Sequence, residues 1–201
     1  MTTFVELYDL TVEQTRKPEL QALTEAAIRV AVLRAHHFDF FPADLREGAV
    51  VYTPSSNAWQ YDIPNLGTLL PRYRAIKTLY GTEPATQRHI EQFEFREVDD
   101  MYTTEGERRA SVYTLLGSTL RVVPAAASGT MHAYYYQNPD VTALTFSSWI
   151  ADAYPEQMAM LAASSVWNRT GFREMSQNVE NNENKTFREM LISSHLLGEV
   201  N

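Results

Sequence analysis

The sequence predicts an α+β fold, in which N- and C-terminal helices form a small helical bundle with an inserted, mainly antiparallel β domain. Apolar residues recur at helical spacing over residues 18–38 and again over 155–170. Between these segments apolar and polar residues alternate with a period of two, which is typical of strands with one buried face. Because the terminal helices must meet to bury their apolar stripes, we assign 1–47 and 140–201 to the bundle and 48–139 to the β domain.

The first predicted helix runs from Pro18 to about Phe38. Proline suits the first turn of a helix, where its missing N–H is not needed, and Glu25 and Arg29 form an i,i+4 pair. Pro42 cannot continue the helix. The apolar face predicted for this helix consists of Leu20, Leu23, Ala27, Val30 and Ala31.

The strongest strand signal in the β domain is a hairpin over Ser111–Pro124. Gly117-Ser118 fits a type II′ turn, because glycine readily takes the positive φ required at the first turn position. This turn pairs Leu115 with Leu120, Tyr113 with Val122 and Thr114 with Arg121. Other predicted strands are Ala49–Thr53, Ala58–Ile63, Ile90–Val98 and Thr130–Gln137. The Leu69–Gly81 segment is ambiguous, because its part Arg74–Tyr80 alternates like a strand.

Three consecutive tyrosines lie in the last predicted strand. Since side chains alternate along a strand, Tyr134 and Tyr136 face one side and Tyr135 the other. The run therefore does not form a continuous platform for stacking sugars or bases. We interpret these tyrosines as core or subunit-seam residues and place Tyr134 and Tyr136 at the seam.

The C-terminal third is predicted to be helical again. Ser147 or Ser148 can cap a short helix that begins at Trp149, and Pro155 restarts or kinks it. The segment over 155–170 is apolar nearly all round, which predicts burial in its own core or against a neighbouring subunit.

Two side chains of that apolar helix, Met160 and Trp167, are assigned to the subunit seam together with the tyrosines. Gly171 is expected to close the helix in a left-handed conformation. A final helix is predicted over Phe172–Leu197, and Gly198 ends it.

No catalytic or metal-binding motif is visible. Cysteine is absent, the five histidines show no metal-ligand spacing, and no phosphate-binding or nucleophile motif occurs. We interpret His36 and His37, at a helix end, as dipole contacts or packing residues. We therefore expect no enzymatic activity and no cofactor. The alternative is a small cytosolic hydrolase or ligand-binding domain that uses the loop carboxylates Asp99, Asp100, Glu105 and Glu107.

The net charge of −8 argues against broad binding to the phosphate backbone of nucleic acids. We expect most of these carboxylates to serve solubility, and negative charge also suits a tunnel through which double-stranded DNA slides, because like charge prevents sticking. The beginning of the sequence does not resemble a signal peptide, and no apolar run approaches the ~20 residues of a membrane span. We expect a soluble protein that is intracellular while it is made and does not interact with membranes.

Several short motifs, taken in order, resemble the head-to-tail adaptor (connector) proteins of tailed phages. They are a hairpin that ends in proline (Leu116–Pro124), a tyrosine pair followed by proline (Tyr134–Pro139), a tryptophan at a helix start (Ser148–Ile150) and Tyr154-Pro155. Upstream, Phe38–Phe41 and Leu70–Arg74 fit the same pattern. The likeness covers most of the chain.

The resemblance implies a homo-oligomeric ring, typically dodecameric, at the head–tail junction of the virion. Such a ring binds the portal protein above and a tail or neck protein below, and it extends the channel through which DNA passes without specific binding. A neighbouring neck or tail-completion role also fits. Adaptors of this kind often send a C-terminal segment into the portal, which here implies docking residues Leu196, Leu197, Val200 and Asn201.

Overall fold

The structure is a computed structural model in which helices combine with a seven-stranded mixed sheet, so the predicted mixture of α and β structure is confirmed. The chain divides into a helical unit, Met1–Asp44 with Asn138–Asn201, and a β unit, Leu45–Gln137. The structure describes residues 1–51, 60–82, 89–98, 111–123 and 130–179, together with 185 and 189.

Helix α1, Phe4–Thr15, is an element that the sequence analysis did not assign. The Thr3 side chain accepts the N–H of Glu6, and the Glu6 carboxylate accepts the N–H of Thr3 at 2.7 Å. This capping box satisfies two donors at the helix start and lowers the pKa of Glu6. The Thr-x-x-Glu spacing was therefore an available signal for this helix.

Helix α2, Gln21–His36, follows a short 3₁₀ helix at Pro18–Leu20. Ala27 and Ala31 are buried as predicted, but Val30 is 44% exposed, so its assignment to the inner face was wrong. The buried stripe also includes Ile28 and Val32, because α2 packs against both α1 and the helix over Pro155–Arg169. A second 3₁₀ helix, Pro42–Asp44, ends this part of the helical unit.

The β unit contains seven strands in the order β1-β7-β3-β4-β5-β6-β2. The pairings are antiparallel except between β4 and β5, which are parallel. One face of the sheet and the short helix α3, Leu66–Leu69, enclose the core of this unit. The strands are β1 Leu45–Val51, β2 Tyr61–Ile63, β3 Tyr73–Thr82, β4 His89–Phe95, β5 Val112–Leu116, β6 Thr119–Val123 and β7 Thr130–Gln137.

The β5–β6 hairpin confirms the predicted turn and register. Gly117 has φ +62°, and Ser118 is not among the described residues with positive φ, as a type II′ turn requires. Strand β7 also has its predicted bounds. The three pairs that the turn predicts are all observed: Leu115 with Leu120, Tyr113 with Val122 and Thr114 with Arg121.

The C-terminal half of the helical unit contains α4, Trp149–Ala153, and α5, Pro155–Arg169. Ser148 caps α4 by accepting the N–H of Ala151 at 3.1 Å. Gly171 has φ +91°, consistent with the predicted left-handed end. Residues 173–179 are helical, and most of the remaining predicted helix to Leu197 lies outside the described residues.

Candidate functional site

A buried polar network in the helical unit joins segments that lie far apart in the sequence. His36 is the last residue of α2, Asp44 ends the second 3₁₀ helix, and Ser148 caps α4. Nδ1 of His36 lies 2.9 Å from one carboxylate oxygen of Asp44, and Nε2 lies 2.9 Å from Oγ of Ser148. The indole N–H of Trp149 donates to the same Asp44 oxygen at 2.8 Å.

The hydrogen-bond roles in this network follow from the chemistry of its groups. A carboxylate only accepts, so Nδ1 of His36 carries the proton that it shares with Asp44. In the neutral tautomer, Nε2 of His36 then accepts the hydroxyl proton of Ser148. The order of carboxylate, imidazole and hydroxyl is that of Ser-His-Asp hydrolases.

Burial makes this network a structural feature of the fold. His36 is 1% exposed, Asp44 4% and Ser148 3%, so a substrate carbonyl has no route to the hydroxyl. The Ser148 oxygen is also engaged by the N–H of Ala151, and the ring of Trp149 packs edge-on against His36. The network therefore gives no support to a hydrolase, and the loop carboxylates of that alternative lie outside the described residues.

A second polar cluster lies on the face of the sheet opposite the core of the β unit. We call it the tyrosine face. In β7, Tyr135 is buried while the side chains of Tyr134 and Tyr136 are half-buried, as the predicted alternation requires. The tyrosine face consists of Glu47, Tyr80, His132, Tyr134 and Tyr136.

Hydrogen bonds and ring stacking order the centre of the tyrosine face. The hydroxyl of Tyr80 donates to the Glu47 carboxylate at 2.7 Å, and the His132 ring stacks on Tyr80 with centroids 5.4 Å apart. Burial, with the Glu47 hydrogen bond, raises the pKa of Tyr80, so its hydroxyl remains a donor over the physiological range. The ring of Tyr134 lies 5.6 Å from that of Tyr80. Tyr80 is itself only 5% exposed, so the side chains that this face presents are the half-buried Tyr134 and Tyr136, a residue type enriched at protein interfaces.

Helix α5 is buried on two sides within its own chain. Its first side, which includes Met158, Ala162 and Val166, belongs to the core shared with α1 and α2. On its second side Ala163 and Trp167 pack with Val179, and Met160 is partly buried against them. A residue after Gly171 therefore buries part of the second apolar side of this helix.

The remaining predictions from the sequence concern the docking residues, metal ions and membranes, and some of them fall outside the described residues. The proposed docking residues Leu196, Leu197, Val200 and Asn201 lie outside it, so their role stays a prediction. Among the described residues, no three His, Asp or Glu side chains are grouped as a metal ion requires. None of the helices in these ranges combines the length and apolar character needed to cross a bilayer.

Comparison with known proteins identifies the family to which these elements belong. The family model of the SU10 adaptor protein matches residues 5–193, a range that includes every helix and strand described above except Phe4 at the start of α1. This chain belongs to the SU10 adaptor protein family. No curated protein matches the chain.

Membership of the SU10 adaptor family confirms the predicted resemblance to phage adaptor proteins. It identifies the chain as a phage adaptor protein, which implies a component of the virion that contacts other phage structural proteins. The family is structural, and this favours the expectation that the chain is not an enzyme.

Proposed function

We propose that this phage adaptor protein forms a homo-oligomeric ring, dodecameric in its complete state, that joins the portal protein to the tail or neck protein below. The family match over residues 5–193 carries this proposal. In the virion the ring extends the DNA channel at the head–tail junction. The net charge of −8 supports a channel that repels the phosphate backbone of passing double-stranded DNA and does not bind it specifically.

The architecture proposed for each subunit is a helical bundle, residues 1–47 and 140–201, that carries an inserted β domain, residues 48–139. Two compact units with similar bounds support this division. Strands β1 and β7 are adjacent and antiparallel, so the chain leaves and re-joins the helical unit at neighbouring points. Such an insertion can present its own contact surface while the bundle presents another.

The seam between subunits is proposed to include Tyr134 and Tyr136 from the tyrosine face and Met160 and Trp167 from α5. Tyrosine, tryptophan and methionine are enriched at protein interfaces because each supplies a large contact area. Tyr134, Tyr136 and Met160 retain partial exposure, which leaves them available to a neighbour. The C-terminal residues Leu196, Leu197, Val200 and Asn201 are proposed to dock on the portal.

Sedimentation velocity with and without purified portal protein tests the ring. We expect a species of ring mass whose population rises on addition of portal, and its structure can be checked by cryo-EM of the virion neck. A protein that stays monomeric at all concentrations and does not bind the portal protein would contradict the proposed function.

The seam is tested by Tyr136→Asp, which places a charge where a neighbour would exclude water. An uncompensated buried charge costs several kcal/mol, so we expect at least about a tenfold lower affinity between subunits. Leu144→Asp is the matched control, because Leu144 is 98% exposed in the chain. If Tyr136→Asp assembles as well as the control, the tyrosine face is not part of the seam.

A further inference from the structure

The chain passes between the helical unit and the β unit at two places. It leaves the helical unit after Asp44 and re-joins it at Asn138. We call residues 38–44 the exit connection and residues 138–148 the return connection. Both connections belong to the helical unit and lie among the described residues. A contact that joins them therefore ties together the two places at which the inserted β unit is attached.

His36 contacts both connections with a single side chain. Its Nδ1 donates to Asp44, the last residue of the exit connection, and lies 2.9 and 3.0 Å from the two carboxylate oxygens. Its Nε2 accepts the hydroxyl proton of Ser148, the last residue of the return connection, at 2.9 Å. The imidazole ring is planar and rigid, and both of its nitrogens are used, so it bridges the two connections.

Trp149 makes a second contact between the same two connections. It directly follows the return connection, and its indole N–H donates to Asp44 at 2.8 Å. Its ring packs edge-on against that of Phe41 in the exit connection, with centroids 5.3 Å apart. Phe41 is 2% exposed, so the polar bonds are enclosed by apolar packing. Water can therefore replace a lost hydrogen bond only after this packing has opened.

We infer that His36 makes the exit and return connections one cooperative unit, which opens as a whole and not one connection at a time. Release of the exit connection alone takes Asp44 away from its donors, and release of the return connection alone takes Ser148 away from the ring. Either step leaves buried polar groups without partners, so the second release adds little further cost. This inference goes beyond the proposed ring, because it concerns a single chain.

The neighbouring His37 makes a contact of a different kind. Its Nε2 lies 2.7 Å from Oδ1 of Asn138, the first residue of the return connection. His37 is exposed, so water can replace either partner when this hydrogen bond breaks. The bond also does not involve the exit connection. His37→Ala is therefore the matched control for a substitution of His36.

Native-state hydrogen exchange of the whole chain at low urea concentrations tests this coupling. The N–H of Asp44, which donates to the carbonyl of Phe41 at 3.0 Å, reports on the exit connection. The N–H of Ala151, which donates to Oγ of Ser148 at 3.1 Å, reports on the return connection. In the wild-type protein we expect the two amides to have opening constants within about twofold of each other and the same urea dependence. Clearly different opening constants would overturn the inference.

A reference amide in the β unit separates this local opening from unfolding of the whole chain. The N–H of Leu70 donates to the carbonyl of Leu66 at 2.8 Å, and both side chains are fully buried. We expect this amide to have a smaller opening constant than the two reporter amides. Three equal opening constants would mean that the chain opens only as a whole, and they would also overturn the inference.

The contribution of His36 is measured with His36→Leu. This variant takes a hydrogen-bond partner from the buried Asp44 and Ser148, so both reporter amides should open at least about tenfold more often. The control His37→Ala should change both opening constants by less than about threefold. An effect of His36→Leu on one reporter alone, or one no larger than that of the control, would contradict the role of His36.

A milder variant, Asp44→Asn, keeps the inference testable if His36→Leu does not fold. The side-chain amide keeps one acceptor oxygen, so the substitution weakens the network from the exit connection alone. We expect the opening constant of the Ala151 amide to rise by the same factor as that of the amide of residue 44. A rise confined to residue 44 would show that the connections open independently and would overturn the inference. Since the measurement uses the isolated chain, that outcome would leave the proposed ring unaffected.

Discussion

Replacing Asp44 with alanine tests the buried network of the helical unit. The Asp44 carboxylate accepts hydrogen bonds from Nδ1 of His36 at 2.9 Å and from the indole N–H of Trp149 at 2.8 Å. Asp44 is 4% exposed, so water has little access to the space that alanine would leave. Asp44→Ala therefore removes the acceptor of the buried His36 Nδ1–H and of the partly buried Trp149 indole N–H.

The expected loss of stability follows from these two donors. A buried donor left unsatisfied costs about 1–3 kcal/mol and the partly buried Trp149 N–H costs less, so Asp44→Ala should lower the free energy of unfolding by about 1–4 kcal/mol. Domains of ordinary stability unfold with only about 5–15 kcal/mol, so the loss is a large fraction of the total. Asp44→Asn keeps one acceptor oxygen, and we expect it to lose about half as much.

Urea denaturation followed by tryptophan fluorescence measures this effect, with an unchanged m-value as evidence that the variants unfold in the same way. Asp9→Ala is the matched control, because Asp9 is exposed on α1, and its stability should stay within about 0.5 kcal/mol of wild type. A loss below about 1 kcal/mol in Asp44→Ala, or one equal to that of the control, would refute the assignment of this network as a major source of stability.

Three further predictions concern the turn, an ion pair and the C-terminus. Gly117→Val should lower the unfolding free energy by roughly 1–2 kcal/mol, because a β-branched residue is strained at φ +62°. A Cβ at this position meets no atom within 4 Å, so steric clashes should add nothing to this loss. An unchanged melting temperature would contradict the prediction. Arg121 donates two hydrogen bonds to Asp62 and lowers the pKa of that carboxyl below its ordinary value of 3.8. The ion pair therefore stabilises the folded state above pH 3.8, and this contribution is lost as the pH falls through the lowered pKa of Asp62. The difference in unfolding free energy between wild type and Arg121→Met should shrink accordingly when stability is measured at decreasing pH. A difference that does not change with pH would contradict this role of the ion pair. Deleting residues 196–201 should leave the circular dichroism spectrum near that of the full chain and weaken portal binding tens-fold, on the basis of about 1.5–3 kcal/mol for each buried leucine; equal portal affinity by sedimentation would exclude the docking role.

Local patterns in the sequence were sufficient for features that depend on neighbouring residues. The hairpin register follows from Gly117, because a two-residue turn sets which residues face each other across it. The cap at Ser148 and the helix end at Gly171 are similarly local, since the Ser148 side chain accepts the N–H of Ala151 and Gly171 ends its helix by its positive φ. The motifs that resemble phage adaptors are also local, because each consists of neighbouring residues and their order along the chain is enough to indicate the family.

Tertiary contacts were required for features that depend on residues far apart in the chain. His36, Asp44 and Ser148 form one network across 112 residues of separation between the histidine and the serine, and no spacing rule connects them. Val30 is exposed because the helices packed against α2 contact a face that includes Ile28 and Val32, and this face differs from the one that the apolar spacing predicted. Trp167 is covered by Val179 of its own chain, whereas an apolar helix alone cannot show whether its cover comes from itself or from a neighbour. Periodicity reports that a side chain must be buried, but the partner that buries it is chosen by the packing of the whole chain.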